Sequence, residues 1–230
     1  MEKYQNENWR EWHSGTTFRG GRERDLEDYE GYLGFKREDL NGKTVLDIGS
    51  GESELFSRQL KESGINAQVV SLNPDLISDS YRQEIKKIND WQKKAVAGIG
   101  QELPFKNKSF DNVLALYSVA VFSSPSINPE AAEHWMNEIV RVLKPGGEAR
   151  IGGLLADKKE EIFNGPYKNL IKMLQSRRIT VEVEKVKSKD LDLPPRSKSW
   201  IDESGEEHNE IEKWPEELWD ARIIIKKPAK

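Results

Sequence analysis

Between residues 43 and 155 short apolar runs alternate with segments of helical period. This alternation restricts the fold more than any other feature of the chain. KTVLDIG (43–49) is an apolar, β-branched run bounded by Asn41-Gly42 and Gly49, which predicts a buried strand. AQVVSLN (67–73), residues 112–116 within KSFDNVLALYSV, and GEARIGGLL (147–155) predict three more. Between them, 53–63 carries Leu55, Phe56, Gln59 and Leu60 in helical register, and 80–94 reads as a highly charged helix. Residues 129–143 place Ala132, Trp135, Met136, Ile139, Val140 and Leu143 on one helical face, and Lys144-Pro145-Gly146-Gly147 stops that helix. Strand–helix–strand repetition of this kind implies an α/β fold whose doubly wound parallel sheet is covered on both faces.

The flanks are less regular. A helix is predicted over 22–33 from the spacing of Leu26, Tyr29, Tyr32 and Leu33, and another over 164–178. ITVEVEKV (179–186) alternates as a strand with one wet face, and ARIIIKKP (221–228) reads as a strand. Residues 187–220 are rich in turn and charged residues and read as a long loop inserted before the last strand. The expected organisation is an N-terminal helical lid over 1–40 and one domain over 41–230.

Composition narrows the function classes. The chain of 230 residues has a net charge of −4, so its overall balance gives no support for a nucleic-acid partner. No apolar run approaches the ~18 residues of a membrane span. The start, MEKYQNENWREWHSG, has no apolar signal core. With no cysteine, thiolate nucleophiles and cysteine metal sites are excluded, and a cytoplasmic protein is the default expectation. His13, His134 and His208 are far apart and lack metal-ligand spacing, so no metal site is expected.

Chemistry concentrates in TVLDIGSGES (44–53). In a doubly wound sheet, ligands sit beyond the carboxyl ends of the strands, and Gly49 and Gly51 let the backbone approach one closely. A pyrophosphate site wants G-x-G-x-x-G. Here the sequence is Gly49-Ser50-Gly51-Glu52-Ser53-Glu54, with no third glycine and two acids that would oppose a phosphate. A ligand with a cationic end suits Asp47 better. S-adenosylmethionine, with an α-ammonium and a sulfonium and no phosphate, is such a ligand.

Three stretches together resemble the class I S-adenosylmethionine-dependent methyltransferases. VLDIGSG (45–51) resembles the family's first motif, ELPFKNKSFDNVLAL (102–116) its L-P-F-x-x-x-S-F-D-x-V stretch, and IVRVLKPGGEARI (139–151) its R-V-L-K-P-G-G signature. They occur in the family's order and cover roughly 42–155. The resemblance implies a Rossmann-like seven-stranded sheet, mostly parallel with an antiparallel last strand. It implies S-adenosylmethionine as cofactor and S-adenosylhomocysteine as product. Asp47, Gly49, Ser50 and Gly51 then face the amino-acid part of the cofactor. Where the family carries a ribose-binding acid this chain has Asn73, followed by Pro74, and Asp75 lies two residues beyond Asn73. Where many members carry an adenine-binding acid it has Ile99, with Gly100 beside it. Many small-molecule members carry a histidine or acid after the fourth strand, and this chain aligns Ala120 and Val121 there.

Tyr117 is therefore the candidate polar group near the transferred methyl, and His13 a second candidate from the N-terminal segment. The reading favoured is methyl transfer to a small-molecule acceptor, with no membrane and the oligomeric state open. A non-catalytic binding or regulatory protein on the same fold is the alternative, motivated by Asn73, Ile99 and the missing base. A nicotinamide-dependent oxidoreductase is disfavoured by the missing third glycine.

Overall fold

The computed structural model describes residues 24–51, 53–77, 95–122, 128–156, 167–186, 196–201, 207–212 and 219–229. In chain order these form α1 (Leu26–Leu33), a 3-10 turn (Arg37–Leu40), β1 (Thr44–Ile48), α2 (Leu55–Glu62), β2 (Gln68–Asn73), a 3-10 turn (Pro74–Ile77) and β3 (Val96–Ala97). There follow β4 (Phe110–Leu116), α3 (Val119–Phe122), α4 (Pro129–Val142), β5 (Leu143–Ala156), α5 (Tyr167–Ser176) and β6 (Thr180–Val186). The last elements are β7 (Arg196–Ile201), β8 (Glu207–Glu212) and β9 (Trp219–Lys226). The helix expected over 80–94 lies outside the described residues.

Seven strands make one sheet in the order β3-β2-β1-β4-β5-β9-β6. The first five run parallel, and β9 lies antiparallel between β5 and β6. This is the mostly parallel, doubly wound sheet with an antiparallel last strand that the sequence implies. The chain leaves β1 toward β2 on one side and returns to β4 on the other, so strand order reverses between β1 and β4.

The core has two layers because each strand alternates its side chains. Leu46, Ile48, Val113 and Ala115 face one way and pack with Trp135, Met136 and Ile139 of α4 and Leu170 and Leu174 of α5. Val45, Leu114 and Leu116 face the other way and pack with Leu26, Tyr29, Tyr32 and Leu33 of α1 and Phe56 and Leu60 of α2. Helix α1 is thus part of the core, and Asp25 caps it through a reciprocal bond pair with Asp28.

Two elements depart from the sequence expectation. The insertion over 187–220, read as a loop, contains an antiparallel two-stranded sheet of β7 and β8, with Arg196 opposite Glu212 and Ile201 opposite Glu207. RSKSWI and EHNEIE lack the apolar alternation that marks a strand, so backbone pairing there has no sequence signature. Strand β3 is two residues long, Leu72 pairing with Val96, and is too short to show a period.

The signature residues around β4 and β5 turn out to clamp one another. The Arg141 guanidinium donates to the Leu103 carbonyl at 2.9 Å and the Phe105 carbonyl at 2.7 Å, and pairs with Glu138. Glu138 in turn accepts from the Leu103 amide at 2.8 Å. Asp111 accepts from the Thr44 amide, the Thr44 hydroxyl and the Lys144 ammonium at 2.9, 3.0 and 2.8 Å. The arginine and lysine of RVLKPGG thus hold the LPF turn and the SFD aspartate.

Arg141→Ala leaves two carbonyls and a carboxylate without their charged donor and should cost about 2–3 kcal/mol of stability in urea unfolding. Arg177→Ala removes an exposed bond to Asn137 and should cost less than about 0.5 kcal/mol.

Candidate functional site

The carboxyl ends of β1, β2 and β4 meet at the reversal of strand order, where ligands of doubly wound folds bind. The loop after β1 hangs on the end of β2, because the amides of Gly49 and Ser50 both donate to the Leu72 carbonyl, at 2.8 and 3.3 Å. Gly49 has φ 82°, and a Cβ there would stand 2.5 Å from the Cβ of Ser118, just past β4. Only glycine fits both the backbone angle and the gap. Gly51 also has a left-handed backbone, φ 74°.

Asp47 lies on the face shared by Val45 and α1 and is fully buried. Its Oδ1 accepts a 2.8 Å bond from the Tyr29 hydroxyl, and its Oδ2 has no partner. Tyr29 is itself buried, stacked on Phe56 with ring centres 4.2 Å apart. Burial pushes the Asp47 carboxyl up to about 7; the Tyr29 bond works against this, and the charge of Glu54 adds to it. Burial and the neighbouring Asp47 hold the Tyr29 phenol well above its ordinary range, so it remains a donor.

Asn73, 4% exposed at the end of β2, donates its Nδ2 to the Gly51 carbonyl at 3.1 Å. Its amide group therefore ties the end of β2 to the glycine loop. Pro74 opens the 3-10 turn that follows. Ser50 is buried, with its amide held by Leu72. Ile99 bridges to Glu102, and Gly100 is buried against Val119 at the start of α3. Asp47, Gly49, Ser50, Gly51, Asn73, Pro74 and the 99–100 turn are thereby gathered at one end of the sheet.

Tyr117 joins them in a left-handed conformation, φ 49°, rare for a bulky residue. Its ring meets Tyr32 edge to face at 5.3 Å, and the Arg24 guanidinium lies 4.8 Å from its centre. Next to it, Ser118 is buried with an unpartnered Oγ. Ala120, in place of a base, is buried. His13 lies outside the described residues, and His134 stands on the exposed face of α4 beside Glu130.

Sequence reasoning missed Tyr29, Arg24 and Glu54 as parts of this site. Tyr29 carries the same helical spacing as a core residue, and nothing in a sequence distinguishes a tyrosine whose hydroxyl finds a buried acid. A separate cleft of about 450 Å³ opens at the opposite end of the sheet, lined by Lys43, Asp111, Gly147 and Arg150 among others. Asp111 and Arg150 are committed there to Lys144 and Glu148. Among the described residues no group of three or more His, Asp or Glu is placed to hold a metal ion, and no helix is long and apolar enough to cross a membrane.

Residues 46–151 match the family model described as a methyltransferase domain. The ubiquinone/menaquinone biosynthesis C-methyltransferase UbiE of Nitrobacter hamburgensis is 30% identical over 105 residues, 45% of this chain and 39% of that protein. The chain therefore spans well under half the length of that relative. A fatty-acid O-methyltransferase of Mycolicibacterium smegmatis is 26% identical over 209 residues, 83% of this chain and 70% of that one. Among solved structures, the [4+2]-cyclase SpnF superposes with a TM-score of 0.51 at 16% identity, over 84% of this chain and 78% of that one. That likeness is one of fold, and a shared fold does not fix a reaction.

Two outcomes follow from the geometry. The folded Asp47 holds its proton more tightly than the unfolded one, whose ordinary value is 3.8. Its contribution to stability is therefore full below pH ~4 and is lost as pH rises through about 7. Asp47→Asn should remove that loss, making the unliganded protein more stable than wild type by roughly 2–4 kcal/mol at pH 8 and little different at pH 4 in urea unfolding. Asn73→Asp replaces an N–H donor with a carboxylate oxygen facing the Gly51 carbonyl, and should cost about 1–3 kcal/mol by the same measurement.

Proposed function

We propose that the chain, whose residues 46–151 match the methyltransferase domain model, is a class I S-adenosylmethionine-dependent methyltransferase that transfers a methyl group from S-adenosylmethionine to a small-molecule acceptor. The observation that carries the reading is Asp47: a buried carboxylate with one oxygen bonded to Tyr29 and the other open, beside a glycine loop that a side chain would block. These residues fit the amino-acid end of the cofactor, whose ammonium supplies the charge that Asp47 lacks a partner for. When bound, the cofactor supplies an activated methyl on a sulfonium.

The residues of the chain have matching tasks. Asp47 binds the ammonium, and Gly49, Ser50 and Gly51 admit the amino-acid chain. Asn73 and Pro74 carry the ribose side through the strap from Asn73 to Gly51, and Ile99 with Gly100 forms the adenine side. Tyr117, pinned between Tyr32 and Arg24, orients the acceptor and excludes water. With Ala120 where a base would stand, the acceptor must arrive already nucleophilic. The two curated relatives support a small-molecule acceptor, since one is named for a fatty acid and the other for quinone biosynthesis. The N-terminal segment ahead of α1, the stretch after β4 and the insertion carrying β7 and β8 are assigned to acceptor recognition, being the least motif-like parts of the chain.

The test is calorimetry with S-adenosylmethionine and S-adenosylhomocysteine. Wild type should bind both, and Asp47→Ala should lose at least about 10-fold in affinity, since a desolvated ammonium then lacks its charged partner. No binding at millimolar ligand would overturn the enzyme reading. Binding without any methyl transfer across acids, alcohols, amines and quinols would favour a binding protein on this fold.

A further inference from the structure

We propose that Glu54 is a second carboxylate for the cationic amino-acid end of the cofactor, paired with Asp47 from the far side of the glycine loop. The proposal rests on the cofactor reading above and adds to it a residue outside the glycine motif itself.

Glu54 stands at the N-cap of α2, where a polar side chain ordinarily accepts from the first free amides of the helix. It makes no such bond. Its backbone adopts φ 51° and ψ 39°, a left-handed conformation that costs a residue with a side chain about 1 kcal/mol or more. Two other non-glycine residues with positive φ, Lys108 and Arg178, sit in exposed turns, whereas Glu54 is 3% exposed. Its Oε1 is buried and has no hydrogen-bond partner. The fold thus buries this carboxylate on a strained backbone, uses it for no helix cap and leaves its Oε1 without a bond.

Glu54 ends the loop that runs from β1 through Gly49 and Gly51 into α2, and its charge adds to the rise of the Asp47 pKa. Asp47 and Glu54 flank Gly49 and Gly51, and each keeps one buried oxygen open. Two buried acids so placed oppose each other until a cation arrives. Among the described residues, no cation bonds to either open oxygen. From α1, Tyr29 donates its hydroxyl to Asp47, and Asp28 adds negative charge at Tyr29. The charge of Arg24 acts on Tyr29, and its guanidinium lies over the rings of Tyr117 and Tyr32 with a buried Nη1 that has no hydrogen-bond partner. On the strands beside β1, Ser71 and Leu114 stand opposite Asp47 and are uncharged. On α2 the next basic residue is Arg58, one turn along from Glu54. A primary ammonium, with three N–H donors, suits two open carboxylate oxygens on either side of a loop too bare to obstruct it.

Two ligands separate this role from a structural one. S-adenosylhomocysteine carries the ammonium, and 5′-methylthioadenosine carries the same nucleoside and thioether without the amino-acid end. Calorimetry on the full chain should show Glu54→Gln weakening S-adenosylhomocysteine about 10-fold and 5′-methylthioadenosine less than about 2-fold. Repeating the titration at pH 7 in two buffers of different ionisation heat should show wild type releasing protons on binding S-adenosylhomocysteine and none on binding 5′-methylthioadenosine. Glu54→Gln should release fewer, and Glu54→Asp, which keeps the charge, should retain the release. Retained binding of 5′-methylthioadenosine reports that each variant is folded. Equal weakening of both ligands, or proton release unchanged in Glu54→Gln, overturns the role of Glu54 while leaving the cofactor reading intact. Wild type that binds neither ligand overturns both.

Discussion

The bond from the Tyr29 hydroxyl to Asp47 joins the two halves of this molecule's logic. One end belongs to α1, a helix that the chain lays down before the sheet begins; the other is the acid on which the site is built. Val45 and Asp47 share a face of β1, so the alternation that buries one apolar residue drives a carboxylate into the same layer. Without a donor that layer would not tolerate it. Tyr29 meets half of the requirement and leaves Oδ2 unmet, and the proposed function assigns the unmet half to a cationic ligand. Helix α1 therefore completes the walls of the site as well as covering the sheet.

Much of the architecture was legible because it rests on strong periodic patterns. β1, β2, β4 and α4 fall within a few residues of their expected bounds, since apolar runs between glycine turns and an amphipathic fourteen-residue helix leave few alternatives. The hairpin of β7 and β8 was illegible for the complementary reason: polar strands held by backbone pairing have no period to read. The site was legible in its glycines and in Asp47, where spacing itself carries the chemistry. It was not legible in Asn73, because a strand position fixes the face of a side chain and not the atom it bonds. Nor was it legible in Glu54, since an acid at the start of a helix is ordinary and only its unused carboxylate and left-handed backbone set it apart.

Strain and openness coincide in this structure. Among the described residues, the two left-handed, non-glycine residues that are not in exposed turns, Glu54 and Tyr117, stand at the exits of the first loop and of β4. Beside them lie the open oxygens of Asp47, Glu54 and Ser118. A chain selected for stability alone would relieve such positions, so their concentration at one end of the sheet marks where stability yields to binding.

The clamp between Arg141 and the carbonyls of Leu103 and Phe105, with its neighbour between Lys144 and Asp111, changes what a motif match means here. Two of the three stretches through which the chain resembles the methyltransferases do mechanical work, locking a turn and a helix end to the sheet. Substitutions there act on the fold before they act on any ligand. A resemblance read through such residues measures kinship of scaffold, and two proteins can share every clamp while differing in the molecule that enters between them.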